Sequence, residues 1–416
     1  MSVASTNDSG LSGREADRSR AAAAPVVRTR DPRLDFFRGI AMIIILFAHT
    51  PGNYFTQWIP ARWGFSDATE MFVFCSGMAS AIAFGNTFDR SGWALGTARV
   101  GYRVWQVYWA HIGMFFVIAA LMAILNATEL FERDYIGQLN LYPFFNRPAE
   151  QIAGLMTLTY VPNYFDILPM YMAILVMMPL VMLLAKVDLR LVAVVCIMTW
   201  IFGQTALLES IGLGAWHFEF PAEPWSDRTW FFNPFGWQLI FFTGFAFMIG
   251  WIPAPPINKW LIGLALFIVL LNVPFSNIGV REFGFEWARD WRIENRGWFT
   301  KSDFGILRFV QFLSLAYLAY VLVGKGGRFL MPTGADLGSR IWAFVVAQLS
   351  KIGQQSLAVF LFSMVLARLL GVVYDQFDRA REAVTIGNLI GVGLLLAVAY
   401  LVAWFKGEPW RGKRAK

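Results

Sequence analysis

The chain is poor in the residues that most often do chemistry: three histidines and two cysteines in 416 residues, and only 15% charged side chains. The two cysteines, Cys75 and Cys196, fall inside different apolar runs, which excludes a stabilising disulfide framework and a cysteine-rich metal site. There is no HExxH, no Walker A loop and no GxGxxG following a strand, so zinc-protease, P-loop and dinucleotide-binding chemistry have no motif to rest on. So little charge also excludes a soluble domain of this length.

What is present is apolar. Hydrophobic residues make up 57% of the chain, and the mean hydropathy is +0.51. Long apolar runs recur, each approaching the roughly 20 residues that a helix needs to cross about 30 Å of hydrocarbon. They predict an all-α, polytopic integral membrane protein with about ten transmembrane helices: 34–54, 67–85, 103–125, 166–184, 189–207, 234–252, 259–274, 306–323, 357–373 and 384–405. With the N-terminus inside, Lys and Arg concentrate in the inner segments and acids in the outer ones, so both termini are expected to be cytoplasmic. The net charge of +7 is therefore a topology signal, and nucleic-acid binding is a poor explanation of it. Residues 1–33, apolar-poor and rich in Ala, Ser, Arg and Asp, read as a disordered cytoplasmic tail. Residues 34–405 form one transmembrane domain, and 406–416 a basic cytoplasmic tail. Lipid-facing and partner-facing apolar faces look alike in a sequence, so oligomeric state is not legible.

Three expected outer loops, 126–165, 209–233 and 275–305, interleave aromatics with acids, Asn and Arg, as in "WHFEFPAEPWSDRTWFFNPFGW". Two readings stay open: an aromatic belt at headgroup level, or a surface for sugars, whose rings present apolar faces and hydroxyl edges.

Ionisable side chains at membrane depth are costly and mark candidate sites. The first span holds Asp35, Arg38 and His49. Eleven residues separate Arg38 from His49, which places them on one helical face about 16 Å apart, and Asp35 can pair with Arg38 one turn on. Pro51 and Gly52 then break the helix, tolerated at depth where backbone is buried in protein or lines a wet cavity. Such a cavity is expected to begin at His49. Its imidazole is a candidate general base or a satisfied structural group; a metal site lacks partners, because His111 and His217 lie elsewhere without a carboxylate cluster. Glu70 and Asp67, at the start of the second span, are alternatives for orienting His49, Asp67 being equally an N-cap. Arg99, Arg103 and Gln106 sit near the inner side of the third span, as positive-inside residues or as a phosphate clamp. Near the outer mouth, Asn53, Tyr54, Arg62 and Asp166 are candidates for contacting an acceptor, Asp166 being equally an N-cap of the fourth span. Arg62 is also a candidate cation for a dicarboxylic acyl group, and backbone amides freed at Pro51 to Asn53 are candidate oxyanion donors.

The string "RLDFFRGIAMIIILFAH", with "FVFCSGMA" in the second span and "KIGQQSLAVFLFS" in the ninth, resembles the acyltransferase-3 group of membrane O-acyltransferases. The longer stretch through "WIPARWGFSDATEMFVFCSGMASA" resembles the OpgC branch, which succinylates osmoregulated periplasmic glucans in the inner membrane of Gram-negative bacteria. That resemblance implies His49 as catalytic base and Arg38 as a residue needed for activity. It implies succinyl-CoA as co-substrate, a periplasmic glucan as acceptor and no metal. Of the family's arginine pair in the third span, Arg103 matches the first member, Gln106 replaces the second, and Arg99 is a substitute. Ser363 stands where many relatives have a histidine. The rival class is a transporter or flippase using Asp35, Arg38, His49 and Glu70 as a relay, disfavoured by the lack of an internal repeat; a non-catalytic scaffold is a third class.

Overall fold

Asp31 opens the first helix by accepting the Arg33 N–H on its side chain (3.0 Å), with Pro32 in the first turn, where its missing N–H costs nothing. The resulting helix α1, Pro32–His49, ends where Thr50 turns its N–H and hydroxyl onto the Leu46 carbonyl and Gly52 adopts φ +74°. The expected break after His49 is therefore present. The structure, a computed structural model, describes residues 31–128 and 133–411. The expected N-terminal tail lies outside the described residues except for 31–33, and so does 412–416 of the C-terminal one.

Ten more long helices follow: α2 Ala68–Ser80, α3 Asn86–Ala127, α4 Ile167–Ala185, α5 Leu189–Phe202, α6 Pro234–Ile249, α7 Lys259–Asn272, α8 Ile306–Val323, α9 Leu337–Gln354, α10 Ser356–Gln376 and α11 Arg381–Lys406. Among the described residues there is no strand, only an isolated bridge between Pro221 and Thr229. Six helical runs are long and apolar enough to cross a membrane, one of them the continuous stretch Ala68–Ala127, and α5 and α6 are shorter apolar helices. The protein is an all-helical membrane protein. Helix α1 falls outside those six because Arg33, Asp35 and Arg38 crowd its first two turns.

Two elements differ from expectation. The third span is part of a helix that starts at Asn86 and bends at Gly92, whose φ of +80° and ψ of 173° are not helical. Helix α9 was not among the ten expected spans. It mixes exposed Leu337, Ile341 and Phe344 with Arg340 and Lys351, and this mixture hides it from a search for continuous apolar runs.

Small residues let the helices touch backbone to backbone. A Cβ on Gly353 of α9 would collide with the Asp35 carbonyl of α1, and one on Gly39 with the Leu349 carbonyl, so the two helices cross antiparallel in intimate contact. Gly77 of α2 and Gly244 of α6 do the same to each other's helix, against the Phe241 and Phe74 carbonyls. Helix α10 runs parallel to α1: Ser356 meets Arg38 at one end, and Gly371 abuts the Pro51 ring at the other. The main core, including Met42, Leu46, Phe72, Phe115, Phe241, Phe245 and Phe360, fills the space between these helices.

Candidate functional site

Two polar centres sit at opposite ends of α1. At the first, buried Asp35 and half-buried Arg38 lie where α9 hands over to α10. Arg38 donates to the hydroxyl of buried Ser356, the serine of the Gly353-Gln-Gln-Ser356 segment, while Gly353 packs on the Asp35 carbonyl. The segment thus joins α1 through both a hydrogen bond and a backbone contact.

At the second centre, His49 Nδ1 lies 2.8 Å from the Ile45 carbonyl oxygen. A carbonyl can only accept, so Nδ1 carries the hydrogen and the neutral ring presents an unprotonated Nε2. The Tyr164 ring stands edge-on to the imidazole, centroids 5.5 Å apart, and the Arg368 guanidinium lies 4.0 Å over the centroid of Tyr164. Tyr164 is held at φ +88°, an unusual conformation for a bulky residue, and its hydroxyl donates to the Met364 carbonyl (2.6 Å).

The carboxylates expected to orient His49 are engaged elsewhere. Asp67 caps α2 through the Thr69 N–H (2.6 Å), and Glu70 returns a hydrogen bond to the Asp67 N–H (2.7 Å), a full capping box. Arg308 of α8 places Nε and Nη2 each 2.6 Å from Glu70 Oε1, and Lys301 Nζ lies 2.5 Å from Asp67 Oδ2. One turn along α8, Gln311 Oε1 accepts the Phe65 and Ser66 N–H groups at 2.5 and 2.7 Å, fixing the approach to α2. Desolvation explains this: Glu70 is fully buried, and a guanidinium beside it offsets more of the cost than a neutral imidazole would.

The other candidates are dispersed. Asn53 exchanges amide hydrogen bonds with Asn388 of α11 (2.8 and 3.1 Å), which also accepts from Tyr374 (3.1 Å). Tyr54 pairs with Thr385 (2.7 Å), and the Asn53 N–H is taken by the Thr50 carbonyl (3.3 Å), so it is not an open oxyanion donor. Arg62 lines a small crevice with Gln57, Ile278 and Glu282. Asp166 is buried at the start of α4, 3.4 Å from the Phe231 N–H it accepts, and does not cap its helix. Arg99 donates to Thr87 (2.5 Å) and Arg103 to Gln106 (3.2 Å) on the exposed side of α3. Ser363 is fully buried and bonded to the Phe360 carbonyl, as a packing residue would be. Among the described residues no cluster of His, Cys, Asp and Glu is placed to hold a metal. His111 is buried in α3, and His217 contacts Thr205 and Glu219.

The OpgC protein family model matches residues 30–407, which spans both polar centres and every helix between them. The chain belongs to the OpgC family. No curated protein and no solved structure matches it. In this OpgC chain the site contains three residues that motif reasoning did not reach: Tyr164, Arg308 and Arg368. Arg308 and Arg368 lie inside expected spans, so the cost argument that singles out Arg38 applies to them equally. Tyr164 carried no such signal, being a loop residue brought to His49 by tertiary structure alone. Together the OpgC residues place an imidazole at one end of α1 and a hydrogen-bonded cation at the other.

Proposed function

We propose that this protein is a membrane O-acyltransferase that moves a succinyl group from cytoplasmic succinyl-CoA to glucose hydroxyls of osmoregulated periplasmic glucans. Family membership supports a glucan-modifying role. The observation that carries the chemistry is the His49 tautomer: with Nδ1–H tied to Ile45, Nε2 is free to accept a proton from a half-buried position.

The donor enters at the Arg38 end, in the inner leaflet. Arg38 is set by Ser356, and its charge suits the phosphates of the CoA handle. Exposed Arg99 and half-buried Arg103 supply further positive charge to that side. The acyl end lies towards His49, about 16 Å along the helix. A glucan hydroxyl approaches His49 from the outer face and gives its proton to Nε2 while its oxygen forms a bond to the thioester carbonyl carbon. The carbon–sulfur bond then breaks, and the departing CoA thiolate recovers the proton from the imidazolium. The Ile45 carbonyl holds the ring in position throughout, and the Tyr164 ring bounds it on one side.

Mass spectrometry of periplasmic glucans tests this in cells lacking the protein and re-expressing wild type or an equally abundant, membrane-inserted His49→Ala. Wild type restores the mass increment of succinyl substituents and the variant does not. Unchanged modification by His49→Ala would remove His49 as the base. No modification by either protein, together with movement of a substrate across the membrane, would favour a transporter.

A further inference from the structure

The parallel packing of α1 and α10 supplies a register. Arg38 meets Ser356, 318 residues on, and Pro51 meets Gly371, 320 residues on. Between these fixed points, residues of the two helices separated by about that interval lie at the same depth, because both rise by about 1.5 Å per residue. His49 is therefore level with Arg368. The side chains agree with the backbone: Tyr164 touches His49 on one side and carries the Arg368 guanidinium on its ring face.

Arg368 is unusual among the charges near His49. The fields of Lys301, Arg368 and Asp67 all reach the imidazole. Lys301 and Asp67 neutralise each other at 2.5 Å. Among the described residues no carboxylate lies within ion-pair distance of Arg368, and its Nε is buried without a hydrogen-bond partner. A half-buried guanidinium with one face on an aromatic ring, a hydrogen bond to the Tyr164 hydroxyl, an unpartnered Nε and no acid beside it has an edge donor left for an anion.

Resting on the acyl-transfer reading, we infer that Arg368 binds the terminal carboxylate of a dicarboxylic acyl group and so sets the choice of donor. The phosphates of the donor belong at the Arg38 end, about 16 Å away. The anion that arrives at the His49 end is the carboxylate of the acyl group itself. A guanidinium edge matches a carboxylate with two parallel N–H bonds, which a lysine would not reproduce. Tyr164 acts as a positioning residue: its hydroxyl bond to Met364 and its ring hold the guanidinium beside the base. Arg62, the cation that sequence position suggests for this role, instead shares its crevice with Glu282.

The test compares succinyl-CoA with butyryl-CoA, which has the same chain length and no terminal charge, using wild type, Arg368→Gln and Arg368→Lys in lipid nanodiscs with a glucan acceptor. Arg368→Gln lowers the ratio of kcat/KM for succinyl over butyryl transfer by about ten- to a hundredfold. The loss falls on succinyl transfer, and Arg368→Lys lies between the two. Unacylated CoA binds Arg368→Gln as tightly as wild type, which separates loss of recognition from misfolding. An equal fall for both donors, which leaves the ratio unchanged, would overturn the inference and make Arg368 a general or structural contributor, and no fall for either donor would overturn it outright. If wild type transfers neither group, the acyl-transfer reading fails before any variant is compared.

Discussion

Replacing Arg308 by Met isolates the buried ion cluster at the start of α2. Arg308 is 6% exposed and Glu70 is not exposed at all. Two guanidinium nitrogens reach Glu70 Oε1 at 2.6 Å, while Oε2 holds the Asp67 N–H at 2.7 Å. Removing the cation leaves one carboxylate oxygen buried and uncompensated, a loss on the order of 3–5 kcal/mol. Neutralising the carboxylate as well, in Arg308→Met with Glu70→Gln, removes the stranded charge and keeps an oxygen for the Asp67 N–H. Most of the lost stability should return, because replacing both members of a buried pair is often close to neutral. Equilibrium unfolding in mixed micelles, followed by tryptophan fluorescence for wild type, both single variants and the double variant, closes the cycle. A coupling below about 1 kcal/mol, or a double variant no more stable than the worse single one, would refute the reasoning. The double variant also tests the site. Acyl transfer should survive in it, since His49 is held by Ile45; its loss from a stable double variant would return Glu70 to His49 as its partner.

Two further perturbations follow from the packing. Gly353→Ala pushes a methyl group into the Asp35 carbonyl and should cost about 1–3 kcal/mol and weaken the Arg38–Ser356 contact; unfolding and donor KM measured together check this, and an unchanged donor KM would show that the crossing does not set Arg38. Asn53→Ala strands part of the Asn388 amide and should lower stability by about 1–3 kcal/mol. Acceptor KM should hardly change, whereas a large rise in acceptor KM at undiminished stability would make Asn53 a sugar contact.

Much of this architecture is legible in particular residues. His49 followed by Pro51 and Gly52 announces the helix break, and Asp67 announces an N-cap for α2, whereas Glu70, expected beside His49, instead completes a capping box with Asp67. The Gly353-to-Ser356 segment stands out in the sequence, but its docking onto Asp35 and Arg38 is a contact between residues more than 300 positions apart. The partner of Glu70 was illegible for the same reason: three-residue spacing explains the bond to Asp67, while Arg308 arrives from 238 residues away. Helix α9 is hidden because its charges interrupt its apolar run, although its Gly353 packs directly on the α1 backbone. Arg368 was within reach of simple reasoning, being an arginine in the middle of an apolar helix. What makes it part of the site is the register between two helices, and that has no local trace.

The shared register of α1 and α10 also ties the fates of the two polar centres. Each helix carries one half of both: Arg38 and His49 on α1, Ser356 and Arg368 on α10. A slide of one helix along the other by a single turn, about 5.4 Å, would separate Arg38 from Ser356 and take Arg368 out of line with His49 in the same movement. The helix pair therefore works as a two-point gauge: the span between the two centres is fixed, and whatever disturbs the helix contact at one end is felt at the other.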